Sequence, residues 1–145
     1  MISTTKRGLS MILLLCTVFM TMAGYCRTAS AAMNYNNAVN ATADSYFASN
    51  GKIHAELSVS GIAGTTTSIE ADLYVEKRIM GVFWKKVDIG CTNNVWHDAT
   101  TSYNYSNDFI SPVLSSGTYR VNVTFTVSGS GGSPDVITLK DIVTH

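Results

Sequence analysis

From Tyr119 onward, Tyr119, Val121, Val123, Phe125 and Val127 alternate with Arg120, Asn122, Thr124 and Thr126. This period of two marks a strand with one buried and one wet face. Ser115-Ser116-Gly117 supplies turn chemistry before it. The same rhythm predicts a short first strand over Val39–Phe47, closed by the turn cluster Ser49-Asn50-Gly51. It predicts a second over Lys52–Ile62, where Ile53, Ala55, Leu57 and Val59 face one way, and a third over Thr65–Ile79, with Ile69, Ala71, Leu73 and Val75 inward. Met80-Gly81 reverses the chain into a fourth strand, Val82–Ile89, whose inner face Lys85 interrupts. A fifth strand is expected over Val95–Tyr105, a loop over Ser106–Ser116, and a closing strand over Val136–Val143 behind the Gly/Ser turn Ser128–Asp135. Ahead of them all, the Asn-rich stretch Ala32–Asn40 reads as a loose arm.

These segments are all strands at turn spacings typical of a sandwich, with no helical period among them. Tyr119 stands at the head of its strand, two residues before a core position. That is the placement of the tyrosine corner of immunoglobulin-like domains, with the ring inward and the hydroxyl reaching back to the corner's backbone. The expected fold class is therefore all-β: an antiparallel immunoglobulin-like or fibronectin-III-like β-sandwich of about seven strands.

The segment before this pattern has different chemistry. Lys6 and Arg7 precede the apolar run Leu9–Ala23, and Ala29-Ser30-Ala31 has the small-x-small form of a cleavage site. The run is shorter than the ~18 residues a membrane span needs. A cleaved signal peptide over residues 1–31 is expected in preference to a transmembrane anchor, so membrane contact would be confined to the uncleaved leader. A lipoprotein Cys26 is disfavoured by Tyr25 before it. The remaining chain, residues 32–145, is one domain in size. It carries seven basic and ten acidic residues, a net charge of about −3, which argues against nucleic acid or an anionic membrane as the main partner. Only Cys91 lies beyond the leader, so no internal disulfide forms; a buried thiol is expected, with pairing between chains as the alternative. The expected location is secreted, extracellular or associated with the cell envelope.

Four segments also carry a family resemblance: Gly61-Ile-Ala-Gly-Thr-Thr-Thr-Ser-Ile, Leu73-Tyr-Val-Glu-Lys, Gly81-Val-Phe-Trp84 and Ser116-Gly-Thr-Tyr-Arg-Val. Over Ser60–Val127 the chain resembles a family of small secreted immunoglobulin-like proteins from Gram-positive, mostly gut, bacteria. Met80 and the Asn/Tyr-rich stretch Asn93–Asn107 depart from that pattern. The resemblance implies a secreted immunoglobulin-like domain and brings with it no catalytic or ligand-binding residue.

The residues themselves assemble no catalytic constellation. His97-Asp98 is the only adjacent His/acid pair, and neighbours on a strand face opposite ways. No serine sits in a Gly-x-Ser-x-Gly elbow, and Ser128-Gly129-Ser130-Gly131-Gly132 lacks the helix and lysine of a phosphate cradle. Cys91, His97 and Asp98 match no metal-ligand spacing. Glu70, Asp72 and Glu76 share one outward strand face and read as solvated. The expectation is a protein that is not an enzyme and takes no metal or cofactor.

Aromatic residues offer the one functional signal. Trp and Tyr combine flat apolar area with a polar handle, which suits sugar stacking or protein anchoring. Trp84 is expected in the core or at a sheet edge, while Trp96, Tyr103 and Tyr105 form the candidate ligand-binding set. The function expected is a binding or cell-envelope interaction module with a cell-wall glycan or a protein as partner. The alternative is a diffusible effector or antimicrobial-type protein, for which no amphipathic or basic segment speaks.

Overall fold

Alternating residues of high β-propensity become eight strands in the computed structural model, which describes Asn34–His145; the expected leader lies outside the described residues. The strands are β1 (Ala38–Phe47), β2 (Ile53–Gly61), β3 (Thr66–Ile79), β4 (Phe83–Lys86), β5 (Trp96–Thr100), β6 (Asn104–Ile110), β7 (Thr118–Gly129) and β8 (Asp135–Thr144). One antiparallel sheet has the order β1-β2-β6. The other runs β4-β3-β7-β8, with β5 also on the free edge of β3 beside β4. The chain crosses between sheets after β2, returns after β5 and crosses again after β6, an immunoglobulin-like sandwich. Keeping β4 and β5 on the edge of β3 gives it the fibronectin-III-like form.

The core lies where the inward residues of β2, β3 and β7 meet. Ile53, Leu57, Ile69, Leu73, Val123 and Phe125 are all buried there, each contributing about 1.5–3 kcal/mol relative to exposure. Tyr119 is also buried; its hydroxyl donates to the Ser115 carbonyl at 2.5 Å and its ring meets Phe47 edge-on at 5.4 Å. The expected tyrosine corner is present. Gly117 turns the corner at φ 151, a backbone conformation that L side chains rarely adopt. Lys77 Nζ in turn donates to Ser115 Oγ and the Ser116 carbonyl.

Three expectations are corrected. The single strand over Val95–Tyr105 is two strands on different sheets: β5 pairs with β3, the chain crosses at residues 101–103, and β6 pairs with β2 as far as Ile110. The apparent alternation ran on through the crossing, so the period alone could not mark it. β4 ends at Lys86, after which the chain dips to bury Ile89.

The third correction concerns the arm before β1, which is clamped. Asp135 accepts the backbone N–H groups of Asn36, Asn37 and Ala38 at 2.9, 2.7 and 3.0 Å. The buried Asn37 amide donates to the Ser133 carbonyl, and its oxygen accepts the Gly131 N–H. A Cβ on Gly131 would fall 2.0 Å from the Asn36 carbonyl, so the Gly-rich turn is small because two backbones touch there. Hydropathy is blind to this join, since polar atoms make it.

Candidate binding face

The three aromatic residues expected to bind ligand do not form one exposed surface. Tyr105 sits on β6 with its ring in the core, 5% exposed and edge-on to Phe125. Trp96 is half-buried against Phe109 at 5.7 Å. Tyr103, 45% exposed, occupies the crossing between sheets, where its carbonyl accepts the Gly61 N–H. Splitting the expected strand in two turns Tyr105 inward, so it cannot stack on a ligand.

Behind them, Asp98 on β5 accepts the Asn107 amide at 2.7 Å and the Tyr105 hydroxyl at 3.1 Å, joining the two sheets at one open edge. The Asn107 amide, acting against burial and aided by Tyr105, holds the Asp98 carboxyl below its usual range. Burial, with Asp98 adding to it, pushes the Tyr105 phenol well up. His97 faces the opposite way, as alternation requires, and meets Asp72 on β3 at 2.8 Å. That hydrogen bond raises the His97 imidazole above its ordinary value. The two neighbours His97 and Asp98 thus belong to separate pairs. Cys91 is a free thiol, half-buried against the core.

The most organised solvent-facing cluster lies elsewhere, on the outer face of the larger sheet at β3, β4 and β7. Register sets Trp84 opposite Arg78, and sets Glu76 between Lys86 and Arg120. Arg120 donates through Nε and Nη2 to one Glu76 carboxylate oxygen, at 2.9 and 2.7 Å. The Asn122 amide donates to the same oxygen at 2.9 Å. The Arg120 guanidinium lies 4.5 Å from the centre of the Trp84 ring and that of Arg78 lies 6.0 Å away, while Lys86 covers Tyr74 at 4.6 Å. Each such contact contributes about 0.5–1 kcal/mol at exposed sites, and together they fix long side chains that would otherwise sweep through solvent. Glu76, read from sequence as solvated, is mostly buried within this cluster. The buried Asn122 Oδ1 has no hydrogen-bond partner among the described residues. Trp84 does stand at a sheet edge, as expected, but on the outer face. The missed signal is a register one: Trp84, Glu76 and Arg120 are far apart in sequence and meet only once β3 is paired on both sides.

The smaller sheet's outer face is its electrostatic opposite. Asp44, Glu56 and Asp108 stand side by side across β1, β2 and β6 and line a shallow open depression. Among the described residues, Asp108 alone of the three pairs with a basic group, His54 Nδ1 at 3.3 Å. Among the described residues no helix is long and apolar enough to cross a membrane. No protein-family model matches the chain, and no curated protein matches it.

Proposed function

We propose that the protein is a secreted, non-catalytic binding module of the cell envelope, with its ligand face on the outer surface of β3, β4 and β7. One observation carries this reading. Trp84, Arg78, Arg120, Lys86 and Tyr74 form a contiguous cationic and aromatic surface whose side chains are held by stacking and by the Arg120–Glu76 pair. A face so ordered in advance gives up little side-chain entropy on binding. Guanidinium groups beside aromatic rings suit a planar anion next to an apolar ring face, so the ligand class is an anionic glycan of the envelope.

The test is retention of the Asn34–His145 domain, which holds both sheets and the whole core, on membrane-free Gram-positive cell walls and on insoluble polysaccharides. Wild type and Trp96→Ala should be retained, while Trp84→Ala and Arg78→Ala should wash off. If wild type passes through every matrix, the glycan reading is wrong.

A further inference from the structure

The hairpin joining β3 to β4 projects beyond the sheet that carries it. β3 keeps its β7 partner only as far as Lys77, and beyond that point it pairs with β4 alone, so Arg78–Trp84 overhangs the sheet. At the tip Ile79, Met80, Val82 and Phe83 are 38, 87, 69 and 66% exposed. Four apolar side chains thus cluster in five consecutive positions. The Val82 N–H donates to the Ile79 carbonyl at 3.2 Å, and the two residues between them both have positive φ, Met80 at 52° and Gly81 at 72°. Such a reversal favours Asn, Asp or Gly at its first central position, because at positive φ an L residue's Cβ crowds the following carbonyl oxygen, a cost Gly avoids and Asn or Asp offsets by a local hydrogen bond. Met80 therefore occupies a position unfavourable both for its backbone and for its exposure. Folding accounts for neither, and strain of this kind points outward to a function.

The charge around the tip narrows the occupant. Exposed Arg78 precedes it, and Lys85 and Lys86 follow one residue beyond Trp84. From Lys77 to Val87 the chain has no acidic residue, and Glu76 is committed to Arg120. Four of the seven basic residues beyond the leader lie in this hairpin, so the overall negative charge conceals a local positive pole. A convex apolar tip, with cations and a half-buried Trp one step behind it, matches the layering of a bilayer: acyl chains, then the aromatic belt and anionic headgroups. A protein partner would need a pocket shaped to this projection, whereas a fluid bilayer needs none.

We infer that the Ile79–Phe83 tip inserts into the surface of an anionic lipid bilayer while Arg78, Lys85 and Lys86 contact the headgroup phosphates. This site borrows Arg78, Trp84 and Lys86 from the glycan-binding face, but its apolar tip, residues 79–83, belongs to no part of that face and is what the inference rests on. The probe is co-sedimentation of Asn34–His145 with vesicles of phosphatidylglycerol and phosphatidylcholine in equal parts, against vesicles of phosphatidylcholine alone. Wild type should partition to the anionic vesicles, and a Val82→Ser/Phe83→Ser variant should lose about tenfold or more in partitioning. Met80→Asn separates anchoring from folding. Asn suits positive φ, so this variant should melt higher than wild type yet bind vesicles more weakly. With Trp96→Phe leaving Trp84 as the sole tryptophan, its emission should shift to the blue on binding. Absence of binding to anionic vesicles, equal binding to neutral ones, or binding unchanged in the Val82→Ser/Phe83→Ser variant would each overturn the inference. Because the wall assay contains no membrane, the tip variant should still be retained there, so either reading can fail without the other.

Discussion

Tyr119 shows how a single hydroxyl can hold a fold's corner. Its ring packs in the core against Phe47, and its O–H is spent on the Ser115 carbonyl in the turn that contains Gly117 at φ 151. Tyr119→Phe keeps the ring and orphans that carbonyl, so the variant should lose about 1–2 kcal/mol in denaturant unfolding. Asp135 does comparable work with charge. Burial raises its pKa, but the N–H groups of Asn36, Asn37 and Ala38 outweigh that and leave the carboxyl below its ordinary value. A carboxylate whose folded pKa is depressed contributes its stability above the unfolded value, about pH 3.9, and loses it as pH falls through the folded value. Asp135→Asn should therefore be markedly less stable than wild type at pH 7, and the gap should shrink as both are titrated below about pH 4. Parallel unfolding curves across that range would contradict the clamp.

At the scale of elements, strands of alternating polarity were legible because each has one face against the core. β2, β3 and β7 fall within a residue or two of the expected strands Lys52–Ile62, Thr65–Ile79 and Tyr119–Val127. The crossing between β5 and β6 was not legible, since Tyr103 and Tyr105 continue the period of two across a change of sheet. The same change removes Tyr105 from the expected ligand set. Lateral neighbours were invisible too, because register across strands is a property of pairing rather than of any one segment. This is why the Trp84–Arg120–Glu76 cluster and the acidic row both went unread. The row has an energetic consequence: like charges directly opposite one another are destabilising by roughly 0.2–1 kcal/mol. Glu56 sits between Asp44 and Asp108, so Glu56→Gln should raise the melting temperature at low ionic strength, and added salt should erase most of the gain.

Over the domain, charge is distributed unevenly: cations gather at the β4 end of the larger sheet's outer face, whose β5 end carries Glu70 and Asp72, while the smaller sheet's outer face carries a row of carboxylates. Arg78, Lys86 and Arg120 collect on the larger sheet and Asp44, Glu56 and Asp108 on the smaller. A negatively charged surface approached from solution would therefore meet an oriented domain, with its acidic face turned away.

The join at Asp135 bears on a different matter, the order in which the chain assembles. Asn36 and Asp135 are 99 residues apart, so a ribosome releases the opening strand long before the residues that hold it in place exist. Until Asp135 has emerged, β1 can pair with β2 but lacks the carboxylate that clamps its leading end to the second sheet. Closing the sandwich at this end therefore waits on a carboxylate 99 residues later in the chain than the N–H group it holds.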